Sequence, residues 1–162
     1  MALEYKINNI AKGGIIYAVG DTIASVISDD FSWMRLLGIF LIGATVYAFE
    51  IPNYFKWIDK KVTGTPGLKT SMTRALMAML YFNPLWIARH ILFIMLVSGN
   101  YDAIGWGLLL TGVISFAINI PVSLGANYII QNKIELKHRF LSSAIFSGIM
   151  AVYYSLSAVW FA

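Results

Sequence analysis

Five long apolar stretches separated by short polar segments run through this chain of 162 residues. They cover approximately residues 13–28, 36–55, 75–97, 104–130 and 140–161. A bilayer core about 30 Å thick requires about 20 helical residues, and the last four stretches reach that length. The first stretch is short unless residues 9–12 extend it. The pattern is therefore typical of a protein that crosses a membrane several times.

The apolar runs are continuous rather than alternating, as in residues 91–97, which read Ile-Leu-Phe-Ile-Met-Leu-Val. A membrane β-barrel requires alternation of polar and apolar residues along each strand. Backbone groups in lipid must be hydrogen-bonded within their own segment, which favours helices. We predict an all-α polytopic membrane bundle of about five transmembrane helices, with residues 1–162 forming a single transmembrane domain.

Composition agrees with a membrane protein and excludes other classes. Hydrophobic residues make up 59% of the chain and charged residues only 12%, too few to cover the surface of a water-soluble monomer. Aromatic residues at 15% argue against disorder. Because the chain has no cysteine, disulfides, thiolate metal sites and a cysteine nucleophile are all excluded.

The distribution of Lys and Arg predicts the orientation. Ten of the twelve lie in the N-terminal segment and in the second and fourth loops, around residues 56–74 and 133–139. One, Arg35, lies in the first loop, and Arg89 lies inside the third stretch. Positive loops face the cytoplasm, so five spans place the N-terminus inside and the C-terminus outside. The same loops account for the net charge of +4 without a nucleic-acid partner.

Four ionisable side chains fall inside apolar stretches, where a charge costs a few kcal/mol or more and indicates function. They are Asp21, Glu50, Arg89 and His90. At 1.5 Å per helical residue, Asp21 and Arg89 lie about 10 Å and about 12 Å below the outer ends of their stretches. We therefore predict that they pair, either to hold two helices together or to line a solute path. For Glu50 the alternative is an extended side chain that reaches Lys56 or a loop lysine. For His90 the alternative is a hydrogen bond to a neighbouring carbonyl or hydroxyl group.

Two prolines near the middle of the third and fourth stretches predict helix kinks. Pro84 follows Asn83, and Pro121 follows Asn119 by two residues, with Asn127 further along. Kinked helices with freed carbonyls beside amides build mid-membrane sites in transporters, although prolines are common in membrane helices generally. The predicted substrate path accordingly comprises Asp21, Glu50, Asn83, Arg89, His90, Asn119 and Asn127.

Motifs of hydrolases, metalloproteases and nucleotide-binding loops are missing from the sequence. His90 and His138 lie at opposite faces of the predicted bundle and cannot clamp one haem. We predict no enzyme activity, no cofactor and no metal. The expected function is a channel or transporter for small polar solutes. The alternatives are a non-catalytic subunit or assembly factor of a membrane complex, and a haem or quinone enzyme.

Several short motifs recur in a known family of membrane proteins: Gly20-Asp21, Arg35, the segment from Tyr54 to Asp59, Pro121 with Ala126-Asn127-Tyr128, and Arg139 with Tyr153-Tyr154-Ser155. Together they resemble the Mpv/PMP family of small mitochondrial and peroxisomal membrane proteins. The chain departs from the family at Tyr81-Phe82 and at Ala151-Val152. The resemblance implies channel-like passage of small solutes.

A second resemblance rests on residues 18–24, on Asn83-Pro84 and on Gly125-Ala126-Asn127-Tyr128. These segments resemble the bacterial L-alanine exporter family. This family has four shorter spans, and the five-span charge pattern argues against it. The expected location is the cytoplasmic membrane of a bacterium or archaeon, or an organelle membrane in a eukaryote. The expected partners are the lipid bilayer and a small solute, with a second copy or a membrane-complex subunit as further possibilities.

Overall fold

The computed structural model describes residues 3–65 and 67–160, and this part of the chain contains helices and no strand. A π-helical turn, Gly43–Tyr47, joins the second and third α-helices without a break, and a 3-10 turn, Tyr101–Ala103, precedes the sixth. The α-helices are α1 (Ile7–Ile27), α2 (Trp33–Ile42), α3 (Ala48–Lys61), α4 (Leu68–Tyr81), α5 (Pro84–Ser98), α6 (Gly107–Lys133) and α7 (Leu136–Trp160). The all-α prediction is confirmed for these residues.

Four helical segments are long and apolar enough to cross a membrane: Ile7–Ile27, Trp33–Lys61, Leu68–Ser98 and Gly107–Lys133. The first apolar stretch reaches 21 residues because its helix begins at Ile7, ahead of the uniformly apolar region. These segments support the prediction of an integral membrane protein. The predicted fifth span ends at residue 161, and the predicted outer C-terminus is Ala162; both lie outside the described residues. Five spans and their orientation therefore stay predictions.

The chain divides into two compact units. The first contains Met1–Ile51 and Phe140–Ala162, and the second contains Pro52–Arg139. The boundaries fall inside α3 and in the first turns of α7. The single domain expected from the sequence stays a prediction.

Small residues set the packing of the first unit. A Cβ on Gly13 would collide with the carbonyl oxygen of Gly43 in the π-helical turn, and a Cβ on Gly20 would lie 2.7 Å from the Cα of Gly148. Helix backbones approach this closely in membranes only where side chains are minimal. The Tyr5 hydroxyl donates a 2.7 Å hydrogen bond to the carbonyl of Ala44, which anchors the N-terminal segment on the π-helical turn.

In the second unit, α4 and α5 pack along α6. The Asn132 side chain on α6 donates to the carbonyl of Ser71 on α4 at 3.0 Å, which holds the last turn of α6 against the first turn of α4. A Cβ on Gly112 of α6 would lie 3.3 Å from the carbonyl carbon of Pro84 and would also collide with its oxygen. The first turn of α4 and the first residue of α5, next to the break, are thereby both held against one continuous helix.

Candidate functional site

The third candidate span is interrupted near its middle. α4 ends at Tyr81 and α5 begins at Pro84, so the helix is broken where we expected a kink. Proline has no N–H, and the carbonyl of Leu80, four residues earlier, loses its helical donor. The Asn83 side chain replaces it, donating to Leu80 at 2.9 Å, while its oxygen accepts from the Trp86 amide at 3.0 Å.

This arrangement gives Asn83 a defined structural role. It caps the N-terminus of α5 and satisfies the carbonyl that Pro84 frees at the end of α4. The predicted association of an amide with a proline-freed carbonyl is thus present in the structure. The amide of Asn83 is therefore used within its own segment. Two ionisable side chains follow on α5.

These are Arg89 and His90, which lie in the second turn of α5 with half-buried side chains. The His90 ring stacks on Trp86 with centroids 5.5 Å apart and planes 16° from parallel. The Arg89 guanidinium lies 5.9 Å from the centroid of the Phe93 ring. Aromatic faces stabilise a cation in such surroundings. A charge and a titratable imidazole therefore lie directly after a helix break in a candidate span.

The predicted pair of Asp21 with Arg89 is wrong, because Asp21 pairs with Arg35. Nε and Nη2 of Arg35 donate to the two Asp21 carboxylate oxygens at 2.8 Å each. Nη1 of Arg35 donates to Asp30. The sequence-based prediction placed Arg35 in the first loop. Arg35 lies instead in the first turn of α2, and its long side chain reaches Asp21 on α1. The side chain of Asp21 is only 4% exposed.

The other predicted path residues are spread over both units. Glu50 is half-buried in the first turn of α3, and Asn119 is half-buried on α6. Asn127 is 2% exposed and donates to the carbonyl of Ser123 on its own helix at 2.9 Å. Pro121 is exposed and α6 continues as an α-helix across it, so the kink predicted there stays a prediction. Asn83 at the N-cap of α5 and Arg89 and His90 in its second turn lie on one short segment of the second unit, whereas Asp21 and Glu50 lie in the first unit.

A second ion pair, partly buried, was not predicted from the sequence. Nη1 of Arg139 donates to Asp59 at 2.6 Å and, more weakly, to the side-chain oxygen of Gln131 at 3.4 Å. Nε of Arg139 donates to the carbonyl of Ile134 at 2.9 Å. Both charged residues were counted as loop residues, but each lies in a terminal turn of a helix and faces inward. The signal that could have found them is their place in the quoted family motifs.

Four charged residues of the motifs quoted for the Mpv/PMP resemblance form ion pairs in the structure. Asp21 and Arg35 form a buried pair, and Asp59 and Arg139 form a partly buried one. Tyr153, Tyr154 and Ser155 lie outside the part of the chain whose side chains are described. Among the described residues, no three His, Asp or Glu side chains are placed to share a metal ion.

Comparison with known protein families, with curated proteins and with solved structures finds no match to this chain.

Proposed function

We propose that this protein is a membrane channel or transporter for small polar solutes. The observation that carries the proposal is the break at Phe82-Asn83 in the candidate span Leu68–Ser98, with Arg89 and His90 directly after it. Non-helical backbone at membrane depth is tolerated where protein or a polar cavity surrounds it. Transporters use such discontinuous helices to form solute sites near the middle of the bilayer.

The charges on α5 support the same function. A cation or imidazole in a membrane span costs at least a few kcal/mol, and such residues usually face a bundle interior or an aqueous path. The half-burial of Arg89 and His90 fits that position. A guanidinium also recognises carboxylates with paired hydrogen bonds, which favours solutes that carry a carboxylate, such as amino acids and organic acids.

The proposed topology has five spans, with the N-terminus inside and the C-terminus outside. Its support is the concentration of Lys and Arg in the N-terminal segment and in the second and fourth loops. The resemblances to the Mpv/PMP and L-alanine exporter families support solute passage in a bacterial, archaeal or organelle membrane. Labelling of single cysteines introduced into this cysteine-free chain tests the orientation.

Flux through proteoliposomes tests the function. We expect the wild type to pass at least one member of a panel that includes L-alanine, other amino acids and dicarboxylates. Arg89→Gln should reduce that flux by roughly tenfold, equivalent to about 1.4 kcal/mol of barrier. The matched control is Leu85→Ala, which changes a 66% exposed side chain on the same helix and should leave flux unchanged.

Three results would count against this proposal. Wild-type flux equal to that of empty liposomes for the whole panel would remove the solute path. A stoichiometric partner retained in mild detergent, together with that result, would replace transport by the subunit or assembly-factor alternative. Equal loss of flux in Arg89→Gln and Leu85→Ala would show that α5 contributes only to packing.

A further inference from the structure

The two units carry opposite net charges. The second unit, Pro52–Arg139, contains nine Lys and Arg and three Asp and Glu, a net charge of +6. The first unit contains three Lys and Arg and five Asp and Glu, a net charge of −2. Eight of the nine basic residues of the second unit lie in the short ranges 56–74 and 133–139. Such an excess attracts a negatively charged partner.

Hydrogen bonds bring these two ranges to the same end of the second unit. Asn132 bonds the carbonyl of Ser71, so the last turn of α6 lies against the first turn of α4. Nη2 of Arg74 donates to the carbonyl of Val62 at 3.1 Å, which adds the segment after α3. We call the resulting surface the basic face, and its members are Lys60, Lys61, Lys69, Arg74 and Lys133.

The basic face lacks negative partners of its own. Within the described part of the chain, none of its five residues forms an ion pair, and the buried Nε of Arg74 has no hydrogen-bond acceptor. The neighbouring basic residues Lys137 and Arg139, in contrast, form ion pairs. Nζ of Lys137 lies 2.7 Å from Glu135, and the hydrogen bond from Lys137 lowers the pKa of the exposed Glu135 carboxyl. Arg139 is paired with Asp59.

We propose that the basic face binds the phosphate groups of anionic phospholipids. Its position selects a lipid rather than a soluble anion. Lys61 ends the candidate span Trp33–Lys61, Lys133 ends Gly107–Lys133, and Lys69 is the second residue of Leu68–Ser98. Residues at span ends lie at the depth of the lipid headgroups, where basic clusters recognise anionic lipids. The uncapped N-terminus of α4, at Gly67, adds the favourable end of a helix dipole.

Thermal unfolding of the detergent-solubilised full chain tests the proposal. Phosphatidylglycerol should raise the unfolding midpoint at lower concentration than phosphatidylcholine. The double variant Lys69→Gln with Lys133→Gln changes two exposed side chains and should fold. Its apparent Kd for phosphatidylglycerol should rise by about fivefold for each charge removed. Arg74→Gln removes one charge and should therefore raise the apparent Kd by about fivefold. If Arg74→Gln fails to fold, the double variant still tests the proposal.

The control is Lys137→Gln, because that lysine is already paired with Glu135. It should change the apparent Kd for phosphatidylglycerol by less than half of the change expected when one charge of the basic face is removed. Equal stabilisation of the wild type by both lipids would overturn the proposal, as would an equal loss in Lys137→Gln. Stabilisation by inorganic phosphate to the same extent as by phosphatidylglycerol would also overturn it, in favour of a soluble anion.

Discussion

The two Asp–Arg pairs have the same chemistry in different surroundings, since one is buried and the other is partly exposed. In the first unit, the side chains of Asp21 and Arg35 are 4% and 9% exposed, and two hydrogen bonds join them. In the second unit, Arg139 is again 9% exposed but Asp59 is 26% exposed, and one hydrogen bond joins them. Water thus reaches one pair far more than the other, and the electrostatic cost of breaking each should differ accordingly.

The two pairs also connect different distances along the chain. Asp21 and Arg35 are 14 residues apart, and their pair joins consecutive helices across one short turn. Asp59 and Arg139 are 80 residues apart, and their pair joins the end of α3 to the beginning of α7. A contact between distant residues closes a longer loop and costs more entropy to form. The first pair is therefore a local connection, whereas the second holds together the ends of the second unit.

The largest effect is expected from Asp21→Asn. The substitution leaves the buried Arg35 with only Asp30, a partly exposed partner. Removing one member of a buried pair costs about 3–5 kcal/mol in soluble proteins, and we expect a loss in that range for the free energy of unfolding. Thermal unfolding in a fixed detergent measures it. The control, Asp30→Asn, should cost at most about 1 kcal/mol, since its carboxylate is 52% exposed.

A double-mutant cycle separates the pair from its surroundings. Asp21→Asn combined with Arg35→Gln should recover part of the lost stability, because the double variant leaves neither charge of the pair buried without its partner. Additive losses with no recovery would mean that the two side chains act independently, contrary to their two 2.8 Å bonds.

A smaller effect is expected from Asp59→Asn. Arg139 keeps its bonds to the carbonyl of Ile134 and to Gln131, and water reaches the site. We expect a loss of about 1–2 kcal/mol after allowing for solvent screening. A loss equal to that of Asp21→Asn under the same conditions would contradict the role assigned to exposure. Adding salt should reduce the effect of Asp59→Asn more than that of Asp21→Asn.

The same pairs show how far the sequence predicts this structure. Apolar length located the candidate spans, and Asn83-Pro84 located the discontinuity in the third, since both depend on local chemistry. The partner of Asp21 could not be found from depth alone, because depth along a helix does not specify the direction of a side chain. Two carboxylates close to Arg35, Asp21 and Asp30, lie within 14 residues of it, and that proximity was the overlooked signal.

The smallest predicted effect concerns the turn between α1 and α2. The amide of Asp30 bonds the carbonyl of Ser25 at 2.8 Å, and that of Asp29 bonds Val26 at 3.3 Å, which is the Schellman arrangement of a helix C-terminus. Asp29 occupies its left-handed position with φ of 54°, whereas Gly99 holds the corresponding position after α5 with φ of 76°. Glycine adopts this conformation without steric cost, and a carboxylate near a helix C-terminus is disfavoured by the dipole.

Asp29→Gly should therefore raise the free energy of unfolding by about 0.5–1 kcal/mol, with the added flexibility of glycine in the unfolded chain offsetting part of the gain. Asp29→Asn removes the charge but keeps a residue that tolerates positive φ, so it measures the dipole contribution alone. Asp29→Ala also removes the charge, but it should give lower stability than Asp29→Gly and Asp29→Asn, because alanine tolerates a positive φ less well than glycine or asparagine. If glycine and alanine change the midpoint of thermal unfolding equally, backbone conformation at this turn has no part in the stability of the first unit.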